Sequence, residues 1–178
     1  MKSLLAAAPR PLRAMLWNLK YRFLGYEEPT GKQLADRVLA FSPNSLLELG
    51  CGRGLLNKLL REGGWTGMYT GIDISATAIK DAKKCEDGRT KFHVCSIEDY
   101  DPRLKFDVIA LVESLYYVQP EAVRRLLNRL YNHSLNPRGH ILIRICDLKK
   151  HAVHVCAVLS EFPWSEQQGQ WFIISKQD

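Results

Sequence analysis

Leu46-Leu47-Glu48-Leu49-Gly50-Cys51-Gly52-Arg53-Gly54, followed by Gly71-Ile72-Asp73, is the stretch that decides the fold. An apolar run enters a glycine-rich turn, a helix follows, and a second apolar run ends on an acid. That order is a nucleotide-binding βαβ unit. Gly50 and Gly52 carry no Cβ, so the backbone can turn sharply and a ligand can approach it closely. Asp73, at the carboxyl end of the second strand, can accept hydrogen bonds from both hydroxyls of a ribose. A dinucleotide fingerprint would place its last glycine at position 55, which is Leu55. The glycines instead stand at 50, 52 and 54, with Glu48 two residues before the first.

The remaining pattern extends this unit into an α/β chain. Strands are expected at about 45–49, 68–73, 92–95, 106–112, 140–145 and 171–174, with a short one near 160–166. Helices are expected at about 54–62, 75–84 and 120–130, and a helix or loop at about 149–160. Ser75 can cap the second of these and Pro120 suits the first turn of the third. Val123, Leu126, Leu127 and Leu130 form that helix's buried stripe, leaving Arg124, Arg125 and Arg129 on a solvated face. Asn136-Pro137-Arg138-Gly139 reads as a turn. Strands alternating with helices imply a Rossmann-like, doubly wound parallel sheet with helices on both faces. The interval Asp99–Lys105 is too short for a helix between strands three and four.

Two helices precede the first strand. Leu12, Met15, Leu16, Leu19 and Phe23 fall at helical spacing. Thr30 and Gln33 form a capping-box pattern opening a second helix with the stripe Leu34, Val38, Leu39 and Phe41. The expected organisation is a helical lid over 1–42 and a core over 43–178. Such a lid would pack through its apolar stripe and depend little on salt.

At 178 residues the chain suits one domain with a real core. No apolar run approaches the ~20 residues that span a bilayer. The apolar stretch in Met1–Pro9 is too short for a secretory signal. Five cysteines, an odd number without CxxC spacing, read as reduced thiols of a cytoplasmic protein. The net charge of +6 is concentrated: residues 1–25 carry Lys2, Arg10, Arg13, Lys20 and Arg22 and no acid. The rest is nearly balanced, so a basic arm on a neutral core is implied, with nucleic acid a possible but unfavoured partner. Oligomeric state is not readable.

The pattern E-x-G-x-G-x-G with Asp73 resembles motif I of the class I S-adenosylmethionine-dependent methyltransferases. That resemblance implies one antiparallel strand near the C-terminus, for which Trp171–Ser175 is the candidate. It implies S-adenosylmethionine as cofactor and no metal. Gly50, Cys51, Gly52 and Gly54 would lie beneath methionine and ribose, and Asp73 would take the ribose diol. Ile74 and Ile97 would sandwich the adenine, with Ser96 or Glu98 at its edge. Glu48 would be structural, holding the amino end of the cofactor through the loop.

Beyond the fourth strand, Glu113-Ser114-Leu115-Tyr116-Tyr117 is similar to the nodulation-protein-S type of N-methyltransferase. Trp17, Tyr26-Glu27 and Lys32 match other positions of that family, so the likeness covers about 17–146. It implies active-site roles for Glu113, Tyr116, Tyr117 and Tyr26, with Glu113 also near the cofactor, and a small-molecule amine as acceptor. Small-RNA 2′-O-methyltransferases share the acid but follow it with a Glu-His metal pair, where this chain has Tyr116-Tyr117. His151 and His154 lie too far along to restore it and are expected to be exposed or helix-packing. The alternatives are an RNA methyltransferase using the basic arm and an inactive cofactor-binding module.

Overall fold

The computed structural model describes residues 8–23 and 31–177. The elements are α1 (Arg10–Phe23), α2 (Gly31–Ala40), β1 (Ser45–Leu49), α3 (Leu55–Glu62), β2 (Met68–Asp73), α4 (Ala76–Ala82) and β3 (Thr90–Val94). They continue with β4 (Phe106–Val112), α5 (Pro120–Arg129), β5 (Leu135–Arg144), α6 (Ala152–Glu161), β6 (Glu166–Gln168) and β7 (Trp171–Ser175). Tyr26, Glu27 and Thr30, and with them the expected capping box, lie outside the described residues.

The seven strands form one sheet in the order β3-β2-β1-β4-β5-β7-β6. β1 to β5 pair in parallel, while β7 runs antiparallel to both β5 and β6. The single reversed strand is therefore β7, as the resemblance implied. Strand order reverses between β1 and β4, and the crevice beyond their carboxyl ends is where such sheets bind ligands. β4 is buried along nearly its whole length because helices cover both faces. One core side gathers Leu47, Ile109, Ile141 and the α5 stripe; the other gathers Leu46, Val108, Leu142 and α2.

Three expectations need correction. Asn136–Gly139 is not a turn between elements but a bulge inside β5. Leu135 already pairs with Phe106, and pairing resumes at Val108 with His140. Pro137 has no N–H to give a ladder and Arg138 has φ +61°, so these residues loop out without ending the strand. Arg129 is not on a solvated face. Its guanidinium donates to the carbonyls of Glu98 and Tyr100, bracing the segment that replaces the missing helix before β4. Of the two places expected for His151 and His154, exposed or helix-packing, the structure shows packing, with both buried. His151 stacks on Tyr116, and His154 Nε2 lies 3.0 Å from the Val118 carbonyl.

The third correction concerns α1. Its apolar stripe faces outward: Leu12, Met15, Leu16, Leu19 and Phe23 are all exposed. The helix packs instead through Arg13, Trp17, Asn18 and Tyr21. Two of these are aromatics with more area to bury than the leucines, and the polar pair finds partners on the sheet edge.

At the opposite, amino edge, Asp107 ties three strands. Its carboxylate accepts from the amides of Asn44 and Ser45 (2.9 Å each), from Ser45 Oγ (3.0 Å) and from Asn136 Nδ2 (2.8 Å). Burial alone would raise the Asp107 pKa, but these hydrogen bonds outweigh it and hold the carboxyl below its ordinary value. Asp107→Ala should therefore cost about 2–3 kcal/mol in urea unfolding. The wild-type advantage should be present above about pH 4 and shrink as pH falls through the folded value.

Candidate active site

The glycine turn is stitched to the end of β2. Gly50 N and Cys51 N both donate to the Ile72 carbonyl, at 2.8 and 2.9 Å, and Gly52 N donates to Asp73 Oδ2 at 3.0 Å. Gly50, Gly52 and Gly54 have φ of +91°, +53° and +78°, a region that favours glycine. Added Cβ atoms at Gly50 and Gly52 would lie 2.7 Å from Ser114 Cβ and 2.8 Å from Tyr21 Oη. The second Asp73 oxygen accepts from Ser75 N at 2.8 Å, while Ser75 Oγ caps α4 through Ala78 N. Burial dominates the Asp73 carboxyl and pushes its pKa up to about 6, although both amide hydrogen bonds pull the other way.

Beside the turn lies a cavity of about 520 Å³, within the range of small-ligand sites. Its walls include Gly50, Gly52, Gly54, Asp73, Ile74, Ser96, Ile97, Glu113 and Tyr117. Most of the residues expected from sequence are thus brought together. Ser114 Oγ is buried next to Gly50 with no hydrogen-bond partner among the described residues. A nucleoside bearing an amino-acid tail fits this donor set. The diol can reach an acid whose oxygens each have further acceptor capacity. Ile74 and Ile97 supply apolar walls for a base, and the glycine turn leaves room at its backbone.

Cys51 and Glu48 are structural, while Glu98 takes a position other than the expected one. The Cys51 side chain is buried and fills space against Gly71, so only its backbone belongs to the turn. Glu48 is buried and accepts from the Tyr69 hydroxyl, which makes it a brace between β1 and β2. Glu98 does not line the cavity. Its carboxylate accepts from Arg13 Nη2 at 2.8 Å and Arg10 Nε at 3.2 Å. Burial raises its pKa, but the Arg13 and Arg10 interactions prevail and the carboxyl stays below its ordinary value.

Glu113 reaches the cavity from a strained backbone, φ +53°. Its carboxylate is already paired: Oε1 accepts from Arg144 Nη1 at 2.5 Å and Oε2 from the Tyr116 hydroxyl at 2.6 Å. Arg144 in turn holds Gln170 at 2.7 Å. Tyr116 is buried behind Glu113 and outside the cavity wall. Burial, then its bond to Glu113, raises its pKa far above that of a free phenol, so it stays a donor. Tyr117 does line the cavity and meets Trp17 edge to face at 5.2 Å.

Helix α1 roofs the cavity and touches the loop after each of the first four strands. Tyr21 O accepts from Arg53 beyond β1 (2.5 Å), and Asn18 Oδ1 accepts from Ser75 Oγ (2.7 Å) and Thr77 N (3.1 Å) beyond β2. Arg13 reaches Glu98 beyond β3 and the Tyr117 carbonyl (2.5 Å) beyond β4. Arg13, Trp17, Tyr21 and Arg53 thus join the cavity wall without having been selected from sequence. Only Trp17 had a signal, its match to the N-methyltransferase pattern.

The sequence model of the family described as "Methyltransferase domain" matches residues 22–172. Among solved structures, the chain is similar to the N-methyltransferase NodS from Bradyrhizobium japonicum WM9 in complex with S-adenosyl-L-homocysteine. That likeness has 17% identity, TM-score 0.67, and covers 99% of this chain and 97% of that one. Magnesium protoporphyrin IX methyltransferase (ChlM) from Synechocystis PCC 6803 with bound SAM shows 14% identity and TM-score 0.69 over 96% and 99% of the two chains. At such identities the likeness is one of fold. A curated relative, the mitochondrial ubiquinone biosynthesis O-methyltransferase of Candida albicans, is 30% identical over 89 residues. The match spans 47% of this chain and only 27% of that protein.

The raised Asp73 pKa has a stability signature. Between about pH 4 and pH 6 the folded state binds a proton that the unfolded state has released. Its contribution is complete below the unfolded value and disappears as pH rises through about 6. Above that, the buried carboxylate costs about 3 kcal/mol. Relative to wild type, Asp73→Ala should therefore gain stability by up to about that amount between pH 4 and pH 8, measured by urea unfolding at each pH.

Proposed function

The chain belongs to the methyltransferase domain family, of the class I S-adenosylmethionine-dependent type, and on that premise we propose that it transfers a methyl group from S-adenosylmethionine to a small-molecule amine. The observation that carries this reading is the buried Asp73 locked beside the glycine turn at the wall of the cavity. When bound, the cofactor supplies a methyl group activated by a sulfonium. Asp73 would take its ribose diol, Ile74 and Ile97 its base, and Ser114 Oγ with the turn backbone its amino-acid end. Glu98 is withdrawn from the base-edge role by its arginine partners.

Methyl transfer is an in-line displacement with a good leaving group, so the protein mainly aligns the acceptor and excludes water. The α1 roof serves the second need, and we assign residues 1–42 to a lid on the core. A hydroxyl acceptor needs help in losing its proton, whereas a neutral amine can attack unaided. Among the described residues no histidine lines the cavity. Tyr116 is held protonated, and both Glu113 oxygens already accept hydrogen bonds. That set favours an amine. Glu113, held by Arg144 and Tyr116, orients the acceptor beside Tyr117 and does not act as a strong base. Tyr26, matched by resemblance alone, stays a candidate for the acceptor side.

RNA is the less favoured acceptor because two of the arm's arginines, Arg10 and Arg13, are engaged by Glu98 and Asp99. Five free thiols, two of them exposed, suit a reducing compartment such as the cytoplasm.

The test is calorimetry with S-adenosylhomocysteine, followed by a radiolabelled methyl screen over amines, phenols and RNA. Asp73→Ala should weaken cofactor binding at least ~10-fold. Glu113→Gln should lower kcat on the amine found while leaving cofactor affinity within about twofold. Binding without turnover on any class would favour an inactive cofactor-binding module. Turnover on phenols or RNA alone would refute the amine assignment.

A further inference from the structure

Helix α1 carries two faces of opposite chemistry. At roughly 100° per residue, Arg13, Trp17 and Tyr21 fall on the side that roofs the cavity. Leu12, Met15, Leu16, Leu19 and Phe23 fall within an arc of roughly 100° on the other side. These five are 41%, 51%, 36%, 45% and 69% exposed. Single exposed leucines are ordinary, but a continuous row of large apolar side chains along one helix marks a surface that meets something. Lys20 borders the row on one flank and Arg22 on the other, where long basic side chains can keep their charge in a polar layer.

We propose that the outer face of α1 docks on the surface of an anionic lipid bilayer. Charge complementarity selects this occupant. Lys20 and Arg22 flank the row and residues 1–25 hold no acid, while Arg10 and Arg13 are engaged by Glu98 and Asp99 on the inner side. An apolar stripe flanked by cations is the composition of a helix lying in the plane of a bilayer interface. Insertion across the bilayer is not the mode, because no helix among the described residues is long and apolar enough to span one. Nucleic acid fits less well: it would use the cations and leave the leucines, methionine and phenylalanine wet. A second copy packed stripe to stripe would gather Lys20 and Arg22 of both chains with no acid from either α1. The inner face explains why the stripe is free to do this, since Arg13, Asn18 and the Tyr21 carbonyl already fix the helix to the core.

The experiment is co-sedimentation of the full chain with vesicles of phosphatidylcholine alone and of phosphatidylcholine with one quarter phosphatidylglycerol, at low and high salt. Binding is expected with the anionic vesicles, reduced in high salt and weak on the neutral ones. Leu16→Asn combined with Leu19→Asn should weaken it about tenfold or more at unchanged melting temperature. Should that variant fold poorly, Phe23→Trp gives an independent readout: a blue shift of the introduced indole's fluorescence, with quenching by brominated lipid, on adding anionic vesicles. The proposal is overturned if neither vesicle binds. It is equally overturned if binding survives the double substitution or the fluorescence of the Phe23→Trp variant does not respond. Salt-steep RNA binding without vesicle binding would assign the surface to nucleic acid. A dimer dispersed by the double substitution, again without vesicle binding, would assign it to a second copy. Each readout is independent of methyl transfer.

Discussion

Three consecutive amides, those of Gly50, Cys51 and Gly52, close onto the end of β2 through the Ile72 carbonyl and the Asp73 carboxylate. The rest of the site depends on this closure. It demands left-handed backbone at alternate residues, which glycine adopts with little strain. It draws Asp73 to the mouth of the crevice between β1 and β4. Ser75, whose amide holds the other Asp73 oxygen, caps α4 with its hydroxyl. The cost is a carboxyl buried against its own solvation, whose pKa has risen accordingly. A ligand that donates to Asp73 stabilises the charged form that burial disfavours.

The roof is held by a different kind of force. Arg13 and Glu98 form a nearly buried pair, and removing one partner of such a pair leaves an uncompensated charge. This makes closure of α1 specific in register: the arginine must meet Glu98 and the Tyr117 carbonyl together. It also makes the roof responsive to charge, where an apolar lid would not be. Around Glu113, Arg144, Tyr116 and Gln170 play the same part, fixing a carboxylate that a strained backbone pushes into the cavity.

What was legible in the sequence is what short-range pattern encodes. The glycine spacing, the acid ending β2 and the apolar run of β4 located the crevice, and the family resemblances then pointed to Ile74, Ser96, Ile97 and Glu113. Less was legible where partners are distant. Glu98 looks like a base-edge acid until Arg13, 85 residues away in sequence, occupies it. Glu113 looks like a bare anion until Arg144 pairs with it. The α1 stripe misled for another reason: reading amphipathicity assumes that the apolar side goes inward. Here Trp17 and Tyr21 cover the cavity, and the leucines are left outside. The bulge in β5 was hidden because Asn-Pro-Arg-Gly carries the same local signal whether a strand ends or loops out and resumes.

Calorimetric binding of S-adenosylhomocysteine at pH 6, in two buffers of different ionisation enthalpy, tests the central claim most directly. If the ribose diol binds Asp73, the ligand must select the ionised carboxylate. About half a proton should then be released per binding event at pH 6. Release should vanish at pH 8, where the free protein is already ionised, and should be absent in any residual binding by Asp73→Ala. Tight binding with no proton exchange at pH 6, or release unchanged by Asp73→Ala, would contradict the account.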